Sequence, residues 1–479
     1  MTVKSSDLIP YFFLQSKTGR KRHEHHHNPY SNCGNRYFYY RSRYATFIFF
    51  RANKALYYKV LEIQIAMIKR LVKSTLLFFV FGILSCGNAH SESSSENSEF
   101  VSQEKLSDSV PSEVLPAANR MDLILPKIAN RTIGIVGNQT SVVKRENGEY
   151  AHLVDTLLSR QVQITKVFAP EHGFRGTADA GETVKSGKDP ISGLPVISLY
   201  GSHKKPTAED LKGIDLLIFD IQDVGARFYT YISTMHYVME ACAEQGIPVL
   251  ILDRPNPNGH YIDGPILEKQ HQSFVGMHPV PVVHGMTIAE YAKMINGEKW
   301  LENGIQCELE TIAMQNYQRK MSYNLPVKPS PNLPTAKSIN LYPSLCFFEG
   351  TNVNAGRGTI LQFQVFGSPF LDQEYFDYAY TPKSMEGAKY PKHENKECFG
   401  RNLSTAEKLN SINLEWLIEA YKNTKDQEQF FNDFFLKLAG TSSLKDQIKK
   451  GLSVEKIRES WEPGLEAFQK TREKYLMYP

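Results

Sequence analysis

Leu216-Leu217-Ile218-Phe219-Asp220-Ile221-Gln222-Asp223-Val224-Gly225-Ala226-Arg227-Phe228-Tyr229-Thr230-Tyr231 passes from wholly apolar to densely polar within a few residues. An apolar run this short, followed at once by carboxylates, predicts a buried strand over 216–221 rather than a helix. Past Gly225 the spacing turns amphipathic and predicts a helix over 228–245, closed by Gly246 before Pro248. The same alternation extends outward in both directions. Strands are predicted at 132–136, 164–168, 196–200 and 249–253, with helices at 152–160 and 207–212 between several of them. Strand and helix in alternation indicate an α/β fold, a Rossmann-like and mostly parallel sheet with helices on both faces. Such sheets bind ligands beyond the carboxyl ends of their strands.

Further along, strands at 280–283 and 308–313 are expected to flank a helix at 287–296. Pro326, Pro329, Pro331 and Pro334 then punctuate a loop, which places a boundary between a Rossmann-like domain, 118–334, and a smaller α+β domain, 335–479. In the latter a strand is predicted at 361–366 and helices at 413–422, 429–439, 453–460 and 463–474. A nucleotide is the obvious guest for a Rossmann shape. The first strand, however, leads through Gly134-Ile135-Val136-Gly137-Asn138-Gln139-Thr140, which is not the glycine fingerprint of dinucleotide binders, and no phosphate-binding loop of the Walker type occurs. No cofactor is expected.

The amino-terminal part reads differently. Met67-Ile68-Lys69-Arg70-Leu71-Val72-Lys73 precedes an apolar run over 76–84 and then Ser85-Cys86, the order of a charged region, a short hydrophobic region and a small residue at a cleavage point. Ile83-Leu84-Ser85-Cys86 resembles a bacterial lipobox. We therefore expect 67–85 to be a lipoprotein signal peptide, Cys86 the lipid anchor and 86–117 a flexible Ser/Glu-rich tether. The expected location is exported and membrane-anchored, facing the periplasm. A signal should open a chain, so 1–66 is expected to be an over-extended start or disordered. Its His23, His25, His26 and His27 lack converging carboxylate or cysteine ligands, and no metal is expected.

The chain holds 55 Lys+Arg and 51 Asp+Glu in 479 residues. About 11 basic side chains against 3 acidic fall in 1–66, whereas after Cys86 about 41 face 48, so the body is acidic. That argues against nucleic acid, whose binders neutralise phosphate. Cys242, Cys307, Cys346 and Cys398 show no metal-ligand spacing and suit either disulfides or buried thiols.

Candidate chemistry gathers at the strand ends. After 164–168 come Glu171-His172-Gly173-Phe174-Arg175, with Asp179 and Glu182 shortly beyond, read either as a tuned acid beside an imidazole or as a solvated loop. After 216–221 come Asp220, Asp223, Arg227 and Tyr231, Asp223 having the alternative role of a helix cap. After 249–253 come Asp253, Arg254, Asn256 and Asn258. Carboxylates, amides and Arg with few exposed apolar groups suit a polyhydroxylated, anionic ligand.

These segments, together with Ser330-Pro331-Asn332-Leu333-Pro334 and Glu349-Gly350-Thr351-Asn352-Val353-Asn354-Ala355-Gly356-Arg357-Gly358-Thr359, resemble the exo-β-N-acetylmuramidase family NamZ, formerly a family of unknown function, over roughly residues 120–479. The resemblance implies two domains with an active site in the cleft between them. It also implies a glycoside hydrolase that releases N-acetylmuramic acid from the non-reducing ends of peptidoglycan fragments, in cell-wall turnover or recycling. Its implied partners are muramyl saccharides and, through the anchor, a membrane. Within it Glu171 is the expected acid, and Asp223, Asp220 and Glu182, in falling order, are the expected second catalytic group. His172, Arg175, Arg227, Tyr231, Asn256, His284, Glu349, Asn352 and Arg357 are expected to hold substrate, an Arg fork gripping the lactyl carboxylate. The alternative is a non-catalytic sugar-binding lipoprotein using the same cleft.

Overall fold

A computed structural model describes residues 113–176 and 186–479. The expected start extension, signal peptide, Cys86 and Glu182 lie outside the described residues, as does Asp179. The strands are β1 (Ile133–Gly137), β2 (Val142–Lys144), β3 (Tyr150–His152), β4 (Ile164–Ala169), β5 (Gly187–Lys188), β6 (Pro195–Ser198), β7 (Leu216–Asp220), β8 (Val249–Leu252), β9 (Leu309–Ile312), β10 (Val365–Ser368), β11 (Tyr378–Tyr380) and β12 (Cys398–Asn402). The main sheet has the order β5-β6-β4-β1-β7-β8-β9. All its pairings are parallel except β5 with β6 at one edge. The chain thus enters in the middle at β1, steps outward through β4 and β6, returns to β7 and steps outward the other way. That is the doubly wound order, with its switch point between β1 and β7.

Period-two burial explains why these runs are strands. Leu217, Phe219, Val249 and Ile251 face the Tyr231–Gln245 and Ile288–Gly297 helices, while Leu216, Ile218, Leu250 and Leu252 join the other face, with the Met121–Ile128 and Leu153–Ser159 helices. In β1 a side chain at Gly134 would come within 2.7 Å of Leu217 and Ile214, so glycine is what lets the central strands close. Thr207 and Thr287 each build a capping box, and Gly246 ends its helix with φ of 65°.

The smaller region carries a three-stranded antiparallel sheet, β10-β12-β11, and the Glu415–Lys422, Phe434–Ala439, Ser443–Lys449, Val454–Glu459 and Glu462–Glu473 helices. It is fused to the first region by one apolar core, and the carboxyl terminus returns across the sheet: the Tyr478 hydroxyl donates to Asp253 at 2.6 Å.

Several sequence expectations are corrected. Residues 280–283 form no strand; only Val283 makes isolated bridges, to Ala226 and Asp263. Pro279 and Pro281 remove alternate donors, and the carbonyls of Val280 and Val282 are taken by Arg227. The strand expected at 361–366 is shifted to β10, because the chain turns through Phe363 with φ of 51°. The end of the expected tether is already packed, Leu115 pairing with Gln315 and Ala117 being fully buried. The described cysteines are buried free thiols. Among the described residues no helix is long and apolar enough to cross a membrane.

Candidate active site

Strand β4 delivers the first functional group. Its last three residues are buried, and Pro170 carries the chain off the sheet to Glu171. His172 and Gly173, with φ of 71° and 79°, then reverse the backbone, so the Glu171 side chain stays at the strand end while the main chain leaves. One carboxylate oxygen of Glu171 accepts from the Tyr200 hydroxyl and the other from Thr230 Oγ1, each at 2.9 Å. A hydroxyl can donate to an ionised carboxylate or turn to accept from a protonated one, so this carboxyl finds partners in either state. Burial and the neighbouring Glu171 charge push the Tyr200 phenol above its usual range, which keeps it a donor.

Glu171, Tyr200 and Thr230 lie on one wall of a cavity of about 900 Å³. The carboxyl-terminal region adds to the same lining Glu349, from a short 3-10 helix at Cys346–Gly350, Asn354 and Arg357 from the loop after it, and Tyr390 and Lys392 from another. The Arg357 guanidinium donates to Glu349 at 2.8 Å and lies over the Phe363 ring. Burial opposes the charge of Glu349, but Arg357 and Lys392 outweigh it and hold the carboxyl below its ordinary value. The Lys392 ammonium donates to the carbonyls of Phe348, Thr351 and Val353 at 2.6–3.0 Å, tying its loop to the one bearing Glu349. Burial, reinforced by Arg357, pushes Lys392 down. The arrangement sets one carboxyl between two hydroxyls against a paired carboxylate and two cations, a fitting receptor for a polar, anionic ring with a bond to be protonated.

The other expected residues lie elsewhere. Asp220 is fully buried and receives Arg254 through Nε and Nη2 at 2.6 and 2.8 Å, so it is a structural ion pair. Asp223 is buried, accepts from the Gly225 amide at 2.7 Å, and has His284 Nε2 at 3.6 Å; neither lines the cavity. Arg227 is turned inward as well, its guanidinium donating to the carbonyls of Pro265, Val280, Leu438 and Ala439 at 2.7–2.9 Å. Arg175 forks between Asp155 and Asp189 instead of facing the cavity. Asn256 spends its amide on Met286 and Asn258. Asn352 reaches neighbouring segments only through its backbone, His393 donating to its carbonyl. Tyr231 stands behind Glu171, its hydroxyl 3.5 Å from the Glu171 carbonyl, and His172 is buried beside it. Of the expected residues, then, Glu171, Glu349 and Arg357 share the cavity. Tyr200, Thr230, Asn354, Tyr390 and Lys392 were not foreseen; Thr230 was visible in the segment quoted first, but nothing in the sequence marks Lys392.

The nucleotide crevice of the doubly wound sheet is closed by the protein itself. Thr140 Oγ1 accepts from the Gln222 amide, Ser141 from the Asn138 amide, and Gln139 and Tyr229 reach the Pro329 carbonyl from below. The described cavity instead receives Glu171 from the end of β4. A group of three carboxylates close enough for a cation, Glu240, Glu244 and Glu302, lies outside the cavity and already holds the Lys205 ammonium at Glu240 and Glu244.

Two family models match: exo-β-N-acetylmuramidase NamZ, N-terminal, over residues 133–337, and exo-β-N-acetylmuramidase NamZ, C-terminal, over 340–478. The chain is 37% identical to the peptidoglycan β-N-acetylmuramidase NamZ of Bacillus subtilis across 85% of its own length and 100% of that protein. Among solved structures it is similar to a DUF1343 family protein of Bacteroides fragilis, with 44% identity and a TM-score of 0.70 over 77% of this chain and 99% of that one. A second DUF1343 protein of that organism matches at 27% identity and a TM-score of 0.65, over 76% and 99%.

Proposed function

The chain belongs to the exo-β-N-acetylmuramidase NamZ family, and from that premise we propose how its cleft works. It is a glycoside hydrolase that removes N-acetylmuramic acid from the non-reducing ends of peptidoglycan fragments. The observation that carries the assignment of parts is the placement of Glu171, among the described residues the carboxyl of the Rossmann-like region that lines the cavity, with both oxygens held by hydroxyls. Glu171 protonates the leaving oxygen. Glu349, kept ionised by Arg357 and Lys392, is the facing carboxylate. Arg357, with one nitrogen committed to Glu349, has further donors for the lactyl carboxylate that distinguishes muramic acid from glucosamine. That replaces the roles expected of Arg227 and Arg175, whose guanidinium groups are already engaged.

Purified protein given a MurNAc-GlcNAc disaccharide should release free MurNAc, and the matching GlcNAc-GlcNAc disaccharide, lacking the lactyl carboxylate, should turn over far more slowly. Equal rates on the two would remove Arg357 from this role. Binding of the disaccharide with no sugar released over time would mark a binding protein instead. We further propose that the chain is exported and held at a membrane by a lipid on Cys86, on the strength of the Met67–Cys86 signal pattern. More than one acyl chain is needed for a firm anchor. Mass analysis of the native protein should find an acylated amino terminus at Cys86, and an unmodified one would end the proposal.

A further inference from the structure

The cavity lining is not uniformly exposed. Its paired charges are sheltered, the Glu349 and Arg357 side chains being only 27% and 24% exposed. Two aromatic residues on the same lining are by contrast open to solvent: Tyr390 is 91% exposed and Phe434 38%. A single bare aromatic on a protein surface needs no explanation, but two on the open side of one cavity ask for an occupant.

The backbone under Tyr390 is fixed. Pro391 packs where a side chain on Gly358 would stand, at 2.7 Å. Lys392 is tied through its ammonium to three carbonyls, and its own carbonyl accepts from Asn354 at 2.8 Å. His393 donates to the Asn352 carbonyl at 2.6 Å. Phe434 stands at the first turn of the Phe434–Ala439 helix, its amide held by the Asn432 side chain at 2.9 Å. Rings carried on pinned backbones and left uncovered are preorganised contact surface, costing little entropy when a ligand arrives.

The geometry points to a leaving-group subsite: Tyr390 and Phe434 hold the sugar ring on the departing side of the scissile bond. This inference rests on the exo-muramidase reading and deepens it. In an exo enzyme the terminal sugar occupies the enclosed end and its bond meets Glu171, so the remainder of the saccharide can leave only past the open rim. A pyranose turns a face of C–H groups outward, and an aromatic ring is the protein surface that matches such a face without demanding a hydrogen bond. Binding energy collected there, away from the reacting atoms, holds the bond in register with the acid.

The test compares two substrates on the wild-type protein and on Tyr390→Ala, Tyr390→Phe and Phe434→Ala. One is MurNAc-GlcNAc; the other is the muramyl fluoride, which shares the muramyl part and has no ring to leave. The subsite requires the ratio of kcat/KM on disaccharide to that on fluoride to fall roughly three- to tenfold in Tyr390→Ala, the scale of one aromatic contact. It should fall in the same direction in Phe434→Ala, and Tyr390→Phe should keep it. Tyr390 supports no fold contact of weight at its exposure, so a folded variant is expected, checked by its melting curve. An unchanged ratio in Tyr390→Ala, or an equal loss on both substrates, would overturn the subsite while leaving the muramidase reading intact. A wild-type protein that releases MurNAc from neither substrate would instead strike at that reading.

Discussion

Strand β4 runs through Val167, Phe168 and Ala169 into Pro170 and Glu171; strand β7, separated from it by β1 alone, runs through Leu217, Ile218 and Phe219 into Asp220. On paper the two ends are the same device, an apolar core strand that releases a carboxylate where ligands of an α/β sheet bind. In the molecule they part company. β8 ends beside β7 and supplies Arg254, which seals Asp220 in a fully buried fork, whereas β6 ends beside β4 and supplies Tyr200, whose hydroxyl donates to Glu171 on the cavity lining. The neighbour's terminal side chain, rather than the strand itself, decides whether a strand-end acid is sealed into the interior or left on the cavity lining.

That contrast can be broken at either end. The largest effect should come from Glu171→Gln, which keeps size and most hydrogen bonding but cannot deliver a proton. Turnover of the disaccharide should fall about 10²- to 10⁴-fold, with substrate still bound and the melting temperature nearly unchanged. An activated aryl leaving group, needing less protonation, should recover part of the rate. Near-normal disaccharide turnover in this variant would dissolve the distinction. Asp220→Asn tests the other strand: it leaves the Arg254 guanidinium buried opposite a neutral amide, and removing one partner of such a pair costs about 3 kcal/mol or more. Urea denaturation should register that loss, while molecules that remain folded turn over at nearly the wild-type rate. A stable but inactive Asp220→Asn would reverse the assignment of roles.

A smaller effect concerns the frame under β1. His152 is 8% exposed; it accepts from the Val154 amide through Nδ1, so its Nε2–H donates to the Asn138 carbonyl at 2.9 Å. Burial, with the Arg175 charge, pushes its pKa down to about 4 from 6.5, and burial pushes His236 and His278 in the same direction. A neutral buried imidazole binds protons less readily folded than unfolded. The stability it contributes is therefore complete above pH 6.5 and lost as the pH falls toward 4, amounting to about 3 kcal/mol for His152. Unfolding free energies between pH 7 and 4.5 should show that slope, and His152→Asn should flatten part of it; an identical slope in the variant would assign the acid sensitivity elsewhere.

Much of the sheet was legible because β1, β7 and β8 are buried on both faces and announce themselves as continuous apolar runs; these, with β4 and β9, fall within a residue or two of their expected positions. The hairpin of β2 with β3 and the strands β11 and β12 were not, since three to five residues are too few to display a period. The presence of Glu171 on the cavity lining follows from its strand, and that of Arg357 from its motif. Arg227 points inward for a reason sequence cannot reveal. It sits two residues past a glycine in a polar strand-end segment, where a ligand-binding Arg would also sit, and its partners Leu438 and Ala439 are 211 and 212 residues away. Lys392 was missed because a lysine that serves loops and one that faces water are spelled alike.

Arg227 has a consequence for how the protein comes into being. Burial pushes its pKa down to about 10, so it is a cation at neutral pH, and no carboxylate is among its bonded partners; four neutral carbonyl oxygens solvate it as water would. Two of the four belong to the first region, and two are translated more than two hundred residues after the arginine itself. A nascent chain that has finished the parallel sheet still carries a charge it can only half shelter, so the end of the message completes the interior of the beginning, and assembly closes from the tail.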